Sequence, residues 1–176
     1  MTTTTRRHPH VVNIDEVETW KPPVPGPPPF AATAKWVGAA AGSKKLGARL
    51  FEVPAGHTAM PCHAHHNNEE ALFILEGRGT VRIGSERVPV RAGDWVAHLA
   101  GPEHAHQLWA DAGEPIRYLA ISTMNDVDVV TYPDSGKLLT AMGLPPTGIR
   151  KIFHVADGNK GYWDGEGQAT EDRDGQ

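Results

Sequence analysis

From Leu46 onward the apolar residues fall in short runs, each closed by a turn signal. "LGARLFEVPAG" (46–56) ends in Pro-Ala-Gly, and "EALFILEGRG" (70–79) ends in a glycine turn. "TVRIGSERVPV" (80–90) reads as a hairpin around Gly84-Ser85. "AGDWVAHLAG" and "HAHQLWADAGEPIRYLAIST" add three more strands. Short strands at intervals of about ten residues predict an antiparallel sandwich or barrel. In 70–76 both parities are apolar: Leu72 and Ile74 on one side, Ala71, Phe73 and Leu75 on the other. A strand of that kind is covered on both faces. Helical periodicity is nearly absent, and "SGKLLTAMG" (135–143) is the one fair helix candidate.

The ends read differently. Residues 1–10 are expected to be disordered, and 11–20 to form a short strand or a turn of helix. "KPPVPGPPPF" (21–30) holds six prolines in ten residues. Such a segment is extended and stiff, with few backbone donors. It reads as a strap across the fold surface in preference to an SH3-type ligand. The tail is polar and glycine-rich, with its last ten residues expected to be disordered. The resulting division is an arm with its strap over 1–30, a barrel over 31–150 and a tail over 151–176.

Composition narrows the function. The 176 residues carry 17 basic and 21 acidic side chains, a formal net charge of −4. A non-specific nucleic-acid binder wants a basic face, so that class is set aside. With the single cysteine, Cys62, no internal disulfide forms, and a reducing compartment fits. The first residues lack the apolar core of a signal peptide. No run approaches the ~18 apolar residues of a membrane span. The expectation is a cytoplasmic protein.

The chemistry concentrates in "PCHAHHNNEEALFILEG" (61–77). Alternate residues of a strand share a face, so His63 and His65 point together. A carboxylate follows five residues after His65. Buried imidazoles and carboxylates need a partner, and a metal ion is one. Glu70 shares parity with Leu72 and Ile74 and so faces inward. Glu69 then lies at the strand entrance, in solvent or supporting the ligands, and is a candidate catalytic group. Cys62 has the opposite parity to His63 and reads as a packed or exposed thiol. His66 falls in a turn and reads as solvated. His57, His98 and His154 read as surface or supporting histidines, His98 being the nearest of them to the mouth. Trp95, Trp109, Tyr118 and Phe73 read as core or interface residues. There is no dinucleotide fingerprint, Walker loop or nucleophile elbow.

The spacing of Gly56, His63, His65, Glu70 and Gly77 resembles the first motif of the cupin superfamily. Gly93 and Gly101 fit the second motif, although Leu99 stands where proline is usual and Ala110 where asparagine would fall. "AHQL", "EPIRYLAIST", "YPDSGK" and "YWDGE" are similar to a subgroup of small single-domain cupins, some labelled sugar-phosphate isomerases. The resemblance implies an all-β jelly roll, with three histidines and one glutamate around a single divalent metal. Counting forward from Gly101 selects His104 as the last ligand. Counting back nine residues from Pro115 selects His106, the count preferred here, so the implied ligands are His63, His65, Glu70 and His106. His104 is then left at the mouth as an acid or base. Such donors suit one Zn, Ni, Fe or Mn per chain. The net positive charge of that site favours a small, anionic or sugar-like oxygenated metabolite. The implied function is a metal-dependent isomerase or lyase. A dioxygenase, a binding module without turnover and a barrel without metal are the alternatives. A homodimer is expected, with neither nucleic acid nor membrane as partner.

Overall fold

The computed structural model describes residues 8–21, 26–143 and 148–155. Residues 1–7, part of the proline-rich stretch (22–25) and the tail from 156 lie outside them, so the expectations made for those stretches do too. The described chain is almost entirely antiparallel β. One layer is a six-stranded sheet. Its strands run, in spatial order, β1 (Thr19–Trp20), β2 (Thr33–Lys35), β3 (Leu46–Val53), β10 (Ile116–Thr123), β5 (Glu70–Glu76) and β8 (Trp95–His98). The opposite layer has two parts. One contains β13 (Ile149–His154), β12 (Lys137–Met142), β11 (Asp128–Tyr132) and β4 (Ala64–His65). The other contains β7 (Glu86–Arg91), β6 (Arg78–Ile83) and β9 (His106–Ala110). A single backbone bridge, His63 to His106, joins the two parts. This is the antiparallel barrel that the strand pattern predicts, in the jelly-roll form that the family resemblance implies.

Register fixes what faces inward. Tyr118 lies between Phe51 and Ile74, Ala120 between Arg49 and Leu72, and Ser122 between Gly47 and Glu70. Phe51, Leu72, Ile74 and Tyr118 join Val53, Val81, Leu108 and Ile116 in one buried core, with the Phe51 and Tyr118 rings stacked at 5.3 Å. Cys62 packs with Ala64 and Ala105 in a separate small cluster, on the side opposite His63, as its parity requires. The β6–β7 hairpin turns at Gly84-Ser85, where the sequence places it.

Tight glycine turns set the strand lengths. Gly77, between β5 and β6, has φ +80°, and a Cβ there would collide with the carbonyl oxygen of Pro115. Glycine is thus required twice, for its backbone conformation and for the closeness of the next strand.

Three local expectations need revision. Residues 135–143 are not helical; Lys137–Met142 form β12, paired on both sides by β11 and β13. Leucine, alanine and methionine favour helix, but strand pairing overrides that weak preference. A four-residue helix, α1 (Val37–Ala40), appears where none was expected. His10, placed in the arm expected to be disordered, has its Nδ1 3.0 Å from the Ala41 carbonyl oxygen. The 11–20 stretch contains both anticipated elements: a 3-10 turn over Ile14–Glu16, capped by the Asn13 side chain, and then β1. The end of the proline-rich stretch lies along Thr58. There the Thr58 amide donates to the Pro29 carbonyl (3.2 Å) and Ala31 to the Thr58 carbonyl (3.0 Å). Among the described residues, no helix is long and apolar enough to cross a membrane.

Candidate metal centre

β4 and β9 meet through the His63–His106 bridge, with backbone N···O distances of 3.1 and 2.8 Å. The same two residues turn their rings into the barrel, centroids 4.7 Å apart. Glu70, the first residue of β5, reaches across from the other layer. One donor atom each from His63, Glu70 and His106 lies within 4.8 Å of the others. His65 Nε2 is 3.9 Å from Glu70 Oε2, so the fourth side chain faces the same carboxylate from the rim.

The tautomers can be assigned from the partners. His63 Nδ1 lies 2.8 Å from the Pro61 carbonyl oxygen and His106 Nδ1 3.1 Å from that of His104. His65 Nδ1 lies 2.5 Å from Asp128 Oδ2. Each partner is an acceptor, so in each neutral imidazole Nδ1 is the donor. The three Nε2 atoms then carry lone pairs. His106 Nε2 stands 3.4 Å from Glu70 Oε1, two acceptors face to face. A cation must lie between them, either a proton or a metal ion. Anchoring the far ring nitrogen on an oxygen is how metal-binding histidines are oriented, so the donor set fits a divalent ion.

This barrel contains a match to the Cupin domain family over residues 49–122. Residues 49–122 form a cupin domain. The chain is 31% identical over 70 residues to an uncharacterized protein of Methanocaldococcus jannaschii, and spans about half (54%) of that curated relative. Among solved structures it resembles a provisionally assigned sugar phosphate isomerase from Acidithiobacillus ferrooxidans. The identity is 29%, the TM-score 0.65, and 73% of this chain and 80% of that one are covered. A cupin sugar phosphate isomerase from Silicibacter pomeroyi shares the fold, with TM-score 0.72 at 18% identity over 86% of this chain and 97% of that one.

The remaining candidates sit as follows. His104 closes a 3-10 turn, Pro102–His104, instead of lying in a strand beside His106. Its ring is half-exposed, with Nε2 3.5 Å from Glu103 Oε1, while its carbonyl anchors His106. That turn takes up the two residues by which His106 lies farther than His104 from Gly101. Glu69 is exposed and outside the cluster, and its backbone, not its carboxylate, is engaged, with Thr123. His66 is exposed and contacts Thr131.

Three residues beyond the expected ligands and bases belong to the site. His98, read from the sequence as a surface or supporting histidine, is 2% exposed. It stacks on His106 at 3.6 Å with the planes 6° apart, and neither ring nitrogen has a hydrogen-bond partner among the described residues. Its parity with the inward Val96 of the cupin domain was the available signal. Arg49 lines the cavity with His63, Glu70 and His106, and shares parity with Phe51 and Val53. Asp128 lies beyond the domain match and left no local signal, since it meets His65 across 63 residues.

Charge follows this arrangement. Burial pushes the Glu70 carboxyl up, but the His106 contact and the positive potential of His63, His106 and Arg49 outweigh it, holding it well below the usual carboxylate range. Burial likewise raises Asp128, yet hydrogen bonds from His65, Asn68 and the Asn67 amide bring it down to about 2. Burial, with the neighbouring His106, lowers His63 to about 4 and His98 to about 3. The last two shifts predict how the metal-free protein responds to acid. A histidine whose folded pKa is depressed takes up its proton more readily when unfolded. Stability is then complete above about pH 6.5 and falls as pH drops toward 4 and 3. Each ring adds a slope of up to about 1.4 kcal/mol per pH unit in its window. The urea midpoint of chelated protein should therefore fall between pH 7 and pH 4.5. A flat midpoint would mean that the two rings are not held neutral.

Proposed function

We propose that the chain is a metal-dependent cupin enzyme of isomerase or lyase type, acting on a small oxygenated metabolite. His63, His65, Glu70 and His106 would hold one divalent transition metal. The observation that carries this reading is the grouping of His63, Glu70 and His106, one donor atom of each within 4.8 Å of the others, with both rings anchored through Nδ1 so that the Nε2 lone pairs face the carboxylate. His65, outside that group, meets the same carboxylate at 3.9 Å. When bound, such an ion polarises a carbonyl or lowers the pKa of a bound water. The sugar phosphate isomerase assignment of the Acidithiobacillus relative supports the isomerase class.

The chain's own residues supply the rest. Glu70 stays ionised and balances the positive charge of the site. Asp128 holds His65 in one tautomer. His104, its ring half-exposed with Nε2 3.5 Å from Glu103 Oε1, would give a proton to substrate from that nitrogen and regain it through Glu103. Glu69 is left without a role, its carboxylate lying in solvent. A cytoplasmic location belongs to the same reading and rests on the single cysteine.

The reading predicts about one transition metal per chain after purification, Zn or Ni following ordinary expression. Elemental analysis giving under a tenth of an equivalent, even after reconstitution, would sink it. Turnover on a panel of sugar phosphates, 2-oxo acids and catechols, run with each metal, then separates an isomerase or lyase from a dioxygenase. No turnover anywhere would favour a binding module.

A homodimer is also proposed. On the outer face of β5 and β8, Trp95 is 58% exposed against the half-buried Phe73, ring centroids 6.2 Å apart. Light scattering should give twice the 19.0 kDa chain mass at micromolar concentration; the single mass would refute it.

A further inference from the structure

Arg49 stands out among the arginines. Arg78, Arg82 and Arg117 each pair with a carboxylate, and Arg87, Arg91 and Arg150 are exposed. Arg49 is half-buried on the inner face of β3 and has no hydrogen-bond or ion-pair partner among the described residues. Its guanidinium carbon lies 5.0 Å from the Trp36 ring centroid and 5.4 Å from that of Phe51. Two aromatic faces hold a cation in place but leave its five N–H donors unspent. Ala120, its partner in β10, is too small to fill the space beside it.

Two of the other polar side chains on the cavity wall are engaged with backbone carbonyls. Thr58 Oγ1 donates to the Leu108 carbonyl at 2.7 Å, and Gln107 Nε2 to the Met60 carbonyl at 2.8 Å. The cavity itself is narrow, about 30 Å³, room for one or two waters or for a small oxyanion group in their place. Glu70 is the only carboxylate among the described residues lining it. Against a divalent ion and Arg49 together, that one negative charge leaves the cavity strongly positive.

We infer that Arg49 is the anion-binding residue of this site, receiving a carboxylate or phosphate group of the substrate in a paired, fork-like hydrogen-bond geometry. The inference rests on the proposed function and narrows it: the substrate carries such a group within reach of its reacting carbon. Trp36 and Phe51 set the plane of the fork.

The test is calorimetric titration of the purified full-length chain with inorganic phosphate and, separately, malonate. Metal content is measured on the same samples, and each titration is repeated after chelation. At least one anion should bind wild type. Arg49→Gln should weaken that binding at least tenfold while metal content and thermal midpoint hold, and Arg49→Lys, which keeps the charge but not the fork, should fall between. The anion bound more tightly identifies phosphate or carboxylate as the source. If neither anion binds wild type, or if both variants bind as wild type does, the inference is overturned. Metal content reports separately on the metal centre: Arg49-dependent binding in a chain that never loads metal would overturn the centre and leave the anion site standing.

Discussion

His106→Ala protein should come off purification nearly devoid of metal, and His104→Ala protein should keep it. A four-donor site holds its ion with roughly 10–16 kcal/mol, so one donor's equal share is about 3 kcal/mol. Losing it lowers affinity by on the order of 100-fold. The true loss should be larger, because the His98 ring loses its stacking partner and Glu70 its nearest neighbour at the same time. His104 touches the cluster differently. What it gives His106 is a backbone carbonyl, and alanine keeps that carbonyl. His104→Ala should therefore change turnover or substrate affinity while metal per chain stays level. Equilibrium dialysis of both variants against the metal found in wild type decides the matter. If His104→Ala loses the ion and His106→Ala retains it, the assignment of the fourth ligand is wrong.

Gly77→Ala should be the most damaging single-methyl change in the barrel, costing about 3–5 kcal/mol. Part of that is the left-handed backbone, about 1–2 kcal/mol for a residue with a Cβ. The rest is the collision with the Pro115 carbonyl, which cannot relax without parting the chain between β9 and β10 from β6. For a chain of this size the melting midpoint should fall by roughly 10 °C. Gly93→Ala is the control. Its φ is also positive, +94°, but a methyl group there meets nothing within 4 Å, so only the backbone part should appear. Equal losses in the two variants would show that close approach is not what Gly77 is for.

The barrel was legible because its evidence is local. Each strand announces itself by a short apolar run with turn residues at its ends, and Gly84-Ser85 marks its hairpin. Parity placed Glu70 inward with Leu72 and Ile74, and Cys62 away from His63. Where the evidence is not local the sequence misleads. Lys137–Met142 carries good helix formers, and only β11 and β13 alongside make it a strand. His104 and His106 look equivalent by parity until Gly101, at φ +132°, admits a turn that takes His104 off the strand. Arg49 and His98 had the same kind of parity signal as Glu70. A charged side chain in "LGARLFEV" is normally assigned to solvent, and only its packing against Trp36 and Phe51 shows otherwise. Asp128 depends wholly on tertiary structure.

One backbone pair, His63 with His106, both closes the second layer and carries two of the converging rings. Local opening of that layer and disassembly of the site are consequently one event, and a half-open barrel has no site to offer. Whatever binds there selectively stabilises the closed form, by about 2.7 kcal/mol at a hundred times its Kd, and delivers that stabilisation to the pair. The amide protons of His63 and His106 thus report occupancy directly. Their exchange with solvent slows in proportion to the fraction of chains loaded, while strands remote from the pair, such as β7, keep their own rate.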